Sequence, residues 1–146
     1  MSTRISKNFT LEELISSDTA IRKNIANTPS PEIKLQLKKL VIEILQPIRD
    51  AYKHAINVTS GYRCDELNKA VGGSKTSQHL KGQAVDIKAS VGTNAKLFNL
   101  IKSMIESGEI KVGQLIWEYG TTTEPKWIHI SLPYTKINNI IYLYSK

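Results

Sequence analysis

One stretch constrains this chain more than any other: Ser77-Gln78-His79-Leu80-Lys81-Gly82-Gln83-Ala84-Val85-Asp86. It sets an imidazole and a carboxylate seven positions apart, with a glycine between them. Histidine is the commonest protein metal ligand and aspartate a regular partner for it. One further ligand would make a metal site with an open position. The chain has only two other histidines, His54 and His129, and a single cysteine, Cys64. A thiolate cluster and an intramolecular disulfide are therefore excluded, and any metal must be held by histidine and carboxylate. Cys64 is expected to be a free thiol in a helix.

The 146 residues suffice for one domain with a sizeable core. No run of about 18 apolar residues is present, so no transmembrane helix is expected. The N-terminus, MSTRISKNFTLEEL, lacks the apolar segment of a secretory signal. Synthesis in the cytoplasm is expected, with release by some other agent if the protein acts outside. The net charge of +7 favours a polyanionic partner: nucleic acid, an anionic membrane or a cell-wall polymer. The lysines are dispersed, however, with no basic stripe interleaved with aromatics, so nucleic acid is not an expected partner. A monomer is expected.

Residues 1–8 read as a loose arm. Thr10 and Glu13 form a capping box, opening a short helix with Leu11, Leu14 and Ile15 inward. Residues 16–28 read as irregular. Ser30-Pro31-Glu32 starts the next helix well. Ile33, Leu37, Leu40, Val41, Ile44, Leu45 and Ile48 give it a wide apolar stripe, and Pro47 should kink it near its end. Residues 56–59 alternate as a short strand. A helix is expected from Tyr62-Arg63 to Val71, then a polar loop over 74–82 that carries His79. Strands are expected over 83–88, 114–119, 127–132 and 140–144, and an amphipathic helix before Gly108. The order points to an α+β fold with a small, mostly antiparallel sheet backed by helices.

Strand alternation then supplies the third ligand. After Gly82 it separates Val85 and Ile87 from Asp86. After Lys126 it separates Ile128 and Ile130 from Trp127 and His129. His129 can therefore share the open face with Asp86, and His79, Asp86 and His129 can converge on one metal. His54, at a helix end, is placed on the surface. A hydrolytic site also needs a base. Glu118 is the candidate, because a turn centred between Thr123 and Glu124 would set it opposite His129, with Cβ atoms about 4.5–5.5 Å apart. A one-residue slip would turn it to the wrong face. Glu124, in the turn, is the alternative and is expected to be solvated. Arg63, just after Ser60-Gly61, could grip a carboxylate with its forked guanidinium.

Ser77-x-His79-x-x-Gly82-x-Ala84-x-Asp86 resembles the SxHxxGxAxD signature of the zinc D-Ala-D-Ala carboxypeptidase family. Ser60-Gly61-Tyr62-Arg63 is similar to its SGYR segment, and Trp127-Ile128-His129-Ile130-Ser131 to the segment bearing its last zinc histidine. The resemblance covers roughly residues 8–132 and is greatest to the short, single-domain, phage endolysin-like branch. It implies one zinc peptidase domain over 1–146, with a hedgehog/DD-peptidase-like α+β fold. It implies zinc held by His79, Asp86 and His129, with Arg63 binding a substrate carboxylate. Ser77 is implied as a contact to substrate or to the ligand shell. The implied substrate is a peptidoglycan stem peptide, cut by a carboxypeptidase or an L-alanyl-D-glutamate endopeptidase, in a phage or prophage context. In several relatives an acidic residue sits just ahead of the last histidine. Here Lys126-Trp127-Ile128 stands there, so Glu118 rests on geometry alone. The alternative is a metal-binding phage structural or assembly module without activity.

Overall fold

In the computed structural model, which describes residues 3–144, the chain opens with β1 (Arg4–Ser6) folding back on β2 (Phe9–Thr10). The loose arm expected over residues 1–8 is thus corrected; residues 1 and 2 lie outside the described residues. Burial of Phe9 anchors the hairpin, and the Gln46 carboxamide accepts bonds from Ser6 Oγ and Asn8 N. The expected capping box is present. Thr10 Oγ1 accepts from Glu13 N and the Glu13 carboxylate from Thr10 N, opening α1 (Leu11–Ile15).

Residues 16–28 are not wholly irregular. Ser17 caps α2 (Asp18–Arg22) by accepting from Ala20 N at 3.1 Å, and Ala20 is buried. A helix this short has no periodic apolar stripe, so its only sequence signal is the cap. Ser30 and Pro31 start α3 (Pro31–Leu40) as expected. The helix then widens into a π-type turn over Val41–Leu45 before α4 (Gln46–Tyr52). The widened turn precedes Pro47, which has no N–H to return to the Glu43 carbonyl.

After β3 (Ile56–Ser60), α5 (Asp65–Ala70) begins later than expected, and Tyr62-Arg63-Cys64 is not helical. The reason is local. A helix starting there would need the carbonyls of Gly61 and Tyr62, which instead accept from His79 Nδ1 and Asn27 Nδ2. Cys64 is therefore not in a helix but extended at its N-cap, as a free, partly buried thiol. The remaining strands are β4 (Ala84–Ala89), β5 (Gln114–Glu118), β6 (Trp127–Ser131) and β7 (Asn139–Leu143), with α6 (Asn94–Glu106) between β4 and β5.

The main sheet has the order β3-β4-β6-β5-β7, and every pairing is antiparallel except β5 with β7. The α+β expectation holds. Leu37, Leu40, Ile44, Leu45 and Ile48 of the α3–α4 stretch and Leu97, Phe98 and Ile101 of α6 form one buried core. Val85, Ile87, Leu115, Trp117, Ile128 and Ile130 close it from one face of the sheet. Each such side chain contributes about 1.5–3 kcal/mol when fully buried. The opposite face is left to carry chemistry on a rigid backing. Among the described residues no helix is long and apolar enough to cross a membrane.

Candidate active site

Asp86 and His129 face each other directly across β4 and β6, so both side chains leave the same face of the sheet. His79 arrives from another element, a single 3₁₀ turn over Gln78–Lys81 that replaces the expected plain loop. Ser77 caps the turn, its Oγ accepting from His79 N at 3.1 Å. Gly82 ends the turn at φ +69°, where an added Cβ would lie 2.9 Å from Ile33 Cγ2. Only glycine satisfies both the left-handed backbone and the close approach of α3.

The three side chains meet. One ligand atom from each of His79, Asp86 and His129 lies within 4.8 Å of the others. His79 is buried, and its Nδ1–H donates to the Gly61 carbonyl at 2.7 Å. That bond assigns the tautomer, so Nε2 carries the lone pair. Nε2 has no hydrogen-bond partner and faces Asp86 Oδ1 at 3.4 Å. With the ring neutral, two acceptors face each other, a contact that a cation between them, a proton or a metal ion, relieves. The separation is close to the edge, about 3.3 Å, of a tetrahedron with zinc-to-nitrogen and zinc-to-oxygen bonds near 2.0–2.1 Å. His129 Nδ1 donates to the same Asp86 oxygen at 2.9 Å. Burial pushes the Asp86 carboxyl up, but bonding to His129 and the approach of His79 outweigh it and hold the group well below the usual carboxylate range. An ionised carboxylate flanked by two imidazoles is a donor set that fits zinc.

The other expected residues line the same cleft. Arg63, Ser77 and Glu118 border it together with His79, Asp86 and His129. Arg63 N donates to the His79 carbonyl at 3.1 Å, while its side-chain Nε is buried without a hydrogen-bond partner. Burial lowers the Arg63 pKa, and the nearby Asp86 charge opposes that shift. The expected pairing of Glu118 with His129 is corrected. Glu118 lies opposite Trp127, and Ile116 opposite His129. The loop between β5 and β6 turns one residue earlier than expected, through left-handed Tyr119 and Gly120. The register moves by two residues, so Glu118 keeps the face of His129. It sits on the diagonal, where such neighbours are about 7–8 Å apart.

Glu124 is not the solvated turn residue expected. Its carboxylate accepts from Asn94 N and Ala95 N, both at 2.9 Å, at the start of α6. This occupies it as a helix cap away from the histidines. His54 is exposed, as expected, with its ring edge-on to Tyr52.

Sequence reasoning gave no role to four residues that shape the cleft or its margin. Gly61 supplies the carbonyl that orients His79, and an added Cβ there would fall 2.1 Å from the Leu14 carbonyl oxygen. Its place in the Ser60–Arg63 segment was the available signal. Trp127 and Tyr119 pack edge-to-face at 5.4 Å and form a wall beside Glu118. Asn27, in the stretch read as irregular, bonds to two backbone atoms flanking Arg63 and to the Ile15 carbonyl, and offered no periodic signal.

An α+β fold with a His–Asp–His group at a cleft on the open face of its sheet defines the class: a fold with side chains that could hold a metal ion beside a cleft. The chain belongs to the peptidase M15 family, whose model matches residues 7–131. No curated protein matches the chain. Membership bears out the family resemblance carried by the Ser77–Asp86 signature, and it assigns the domain to peptidases of a zinc-dependent family.

Proposed function

We propose that this protein is a zinc peptidase that hydrolyses an amide bond in peptidoglycan stem peptides. The observation that carries the reading is the lone pair of His79 Nε2 facing the Asp86 carboxylate beside His129, in a chain of the M15 family. His79, Asp86 and His129 would hold the ion. Zinc there supplies Lewis acidity, drawing electron density from a carbonyl oxygen and making water a better nucleophile near neutral pH.

The chain's own groups do the rest. The Glu118 carboxylate accepts the proton of the attacking water and returns it to the departing nitrogen. The Arg63 guanidinium donates a forked pair of hydrogen bonds to a substrate carboxylate and so sets which amide bond lies at the reacting position. Ser77 holds the turn that presents His79 and reaches the substrate from the rim of the same cleft. The exposed lysines and the net charge of +7 suit an anionic wall. A monomer that acts on the wall after release, in a phage or prophage setting, fits this charge and this substrate.

Mass spectrometry of stem peptides digested by the protein, with zinc measured on the same sample, tests the reading. Loss of one alanine marks a carboxypeptidase, and a cut between L-Ala and D-Glu marks an endopeptidase. A zinc-loaded protein that leaves every stem peptide intact overturns the reading in favour of an inactive metal-binding module.

A further inference from the structure

The short segment from Gly61 to Cys64 is bonded from outside at almost every peptide group. Gly61 O accepts from His79 Nδ1, Tyr62 N donates to Leu14 O at 2.7 Å, and Arg63 N donates to His79 O. The two remaining bonds come from one distant side chain. Asn27 Nδ2 donates to Tyr62 O at 2.8 Å, and Asn27 Oδ1 accepts from Cys64 N at 2.8 Å. The carboxamide thus clasps the backbone on both sides of Arg63. The same Nδ2 also donates to Ile15 O at 2.9 Å, which ties the clasp to the end of α1.

The clasp matters because of what it holds. Arg63 Nε is buried with no hydrogen-bond partner, so that atom does not anchor the side chain. Nη1 lies against Gly73, and where the guanidinium reaches depends on the backbone from which it starts. We propose that Asn27 is a positioning residue for Arg63: its carboxamide clasps the peptide groups flanking Arg63 and so aims the guanidinium into the cleft. This rests on the reading that Arg63 takes a substrate carboxylate. The inference adds a residue from the α2–α3 connection that touches neither the substrate nor the His–Asp–His group. All its hydrogen bonds go to backbone, and the amide geometry is matched on both sides, two carbonyls to Nδ2 and one N–H to Oδ1. Aspartate in its place would turn a carboxylate oxygen toward two carbonyl oxygens.

The test is a double-substitution cycle on the zinc-loaded protein, using a stem peptide that it cleaves. Asn27→Ala should raise KM about tenfold, with kcat changed less than about twofold and zinc content unchanged. In an Arg63→Ala background the same substitution should change KM less than about twofold, because the group it aims is gone. Asn27→Asp, which retains size, should behave like Asn27→Ala and serves where the alanine variant folds poorly. An equal rise in KM in both backgrounds overturns the inference, as does a fall in zinc content or in kcat that matches the rise in KM. The reading of Arg63 fails separately. If Arg63→Ala leaves KM unchanged, and converting the substrate carboxylate to a carboxamide does too, both statements fall. If Arg63→Ala raises KM but the Asn27 effect persists without it, only the role of Asn27 falls.

Discussion

Removing the Glu118 charge while keeping the shape of the side chain tests the proposed proton-transfer role of Glu118 apart from metal holding. Glu118 lies on the face of His129 but diagonal to it, outside the His–Asp–His group. Glu118→Gln is therefore expected to lower kcat by about 10²–10⁴-fold, the usual worth of a general base, with zinc content unchanged. Peptide turnover and metal analysis on one preparation read both; loss of zinc would move Glu118 into the ligand shell. Gly61 acts differently. A Cβ there would lie 2.1 Å from Leu14 O, and the Gly61 carbonyl orients His79. Gly61→Ala should destabilise the fold by about 1–3 kcal/mol, as overpacking does, and weaken zinc binding by turning the His79 ring. Thermal unfolding and a zinc titration measure the two effects, and unaltered zinc affinity would show that the carbonyl does not control the ring. Residues read by period were legible in the sequence: Asp86 and His129 share a face because strand side chains alternate. Asn27 was not legible, because one side chain bonding to distant backbone leaves no pattern along the chain.

At the level of elements, helices marked by caps appeared where the sequence put them, as with Thr10 before α1 and Ser30 before α3. The errors lie where long-range bonds override local preference. Tyr62 to Cys64 stay out of α5 because His79 and Asn27 take the carbonyls a helix would need. The β5–β6 register slipped by two because loop geometry, not strand composition, decides where a hairpin turns. Glu124 shows what that loop does. Its carboxylate fills the N–H groups of Asn94 and Ala95, while Thr93 Oγ1 fills that of Lys96. The start of α6 is thereby tied to the loop that leads into β6 and His129. Glu124→Ala should cost about 1–3 kcal/mol, since hydrogen bonds to a charged acceptor are lost at a helix N-terminus. Urea unfolding measures it. Zinc affinity should stay within about twofold, because the His129–Asp86 pairing lies farther along the strand. A large loss of zinc affinity would mean that the loop also sets the ligand geometry.

For the molecule as a whole, the core and the candidate metal group are separate structures on the two faces of one sheet. The buried side chains of α3, α4 and α6 pack on one face, and His79, Asp86 and His129 gather on the other. Removal of zinc by a chelator should therefore abolish turnover without unfolding the protein, unlike a small domain that has no core beyond its metal. The loss of bound metal still lowers stability by mass action. With zinc at about a hundred times its Kd the difference is roughly 2.7 kcal/mol, or about 5–10 °C in Tm for a chain of this length. Circular dichroism should keep its far-ultraviolet shape at 25 °C after chelation, with a lower melting temperature and recovery on adding zinc back. Collapse of the far-ultraviolet signal would show instead that the metal bridges elements the core leaves loose. The charge of the molecule gives an independent expectation. Exposed Lys34, Lys38, Lys39, Lys69, Lys75 and Lys81 spread positive charge over several elements. Attraction between such dispersed charges and an anionic wall is screened over about 10 Å at 0.1 M salt and about 3 Å at 1 M. Binding to purified wall should thus weaken steeply between those concentrations. Cleavage of a small soluble stem peptide should change far less, because in the proposed reading Arg63 meets its carboxylate at contact distance inside the cleft. Wall binding that is indifferent to salt would remove charge from the account and leave the cleft alone to find its substrate.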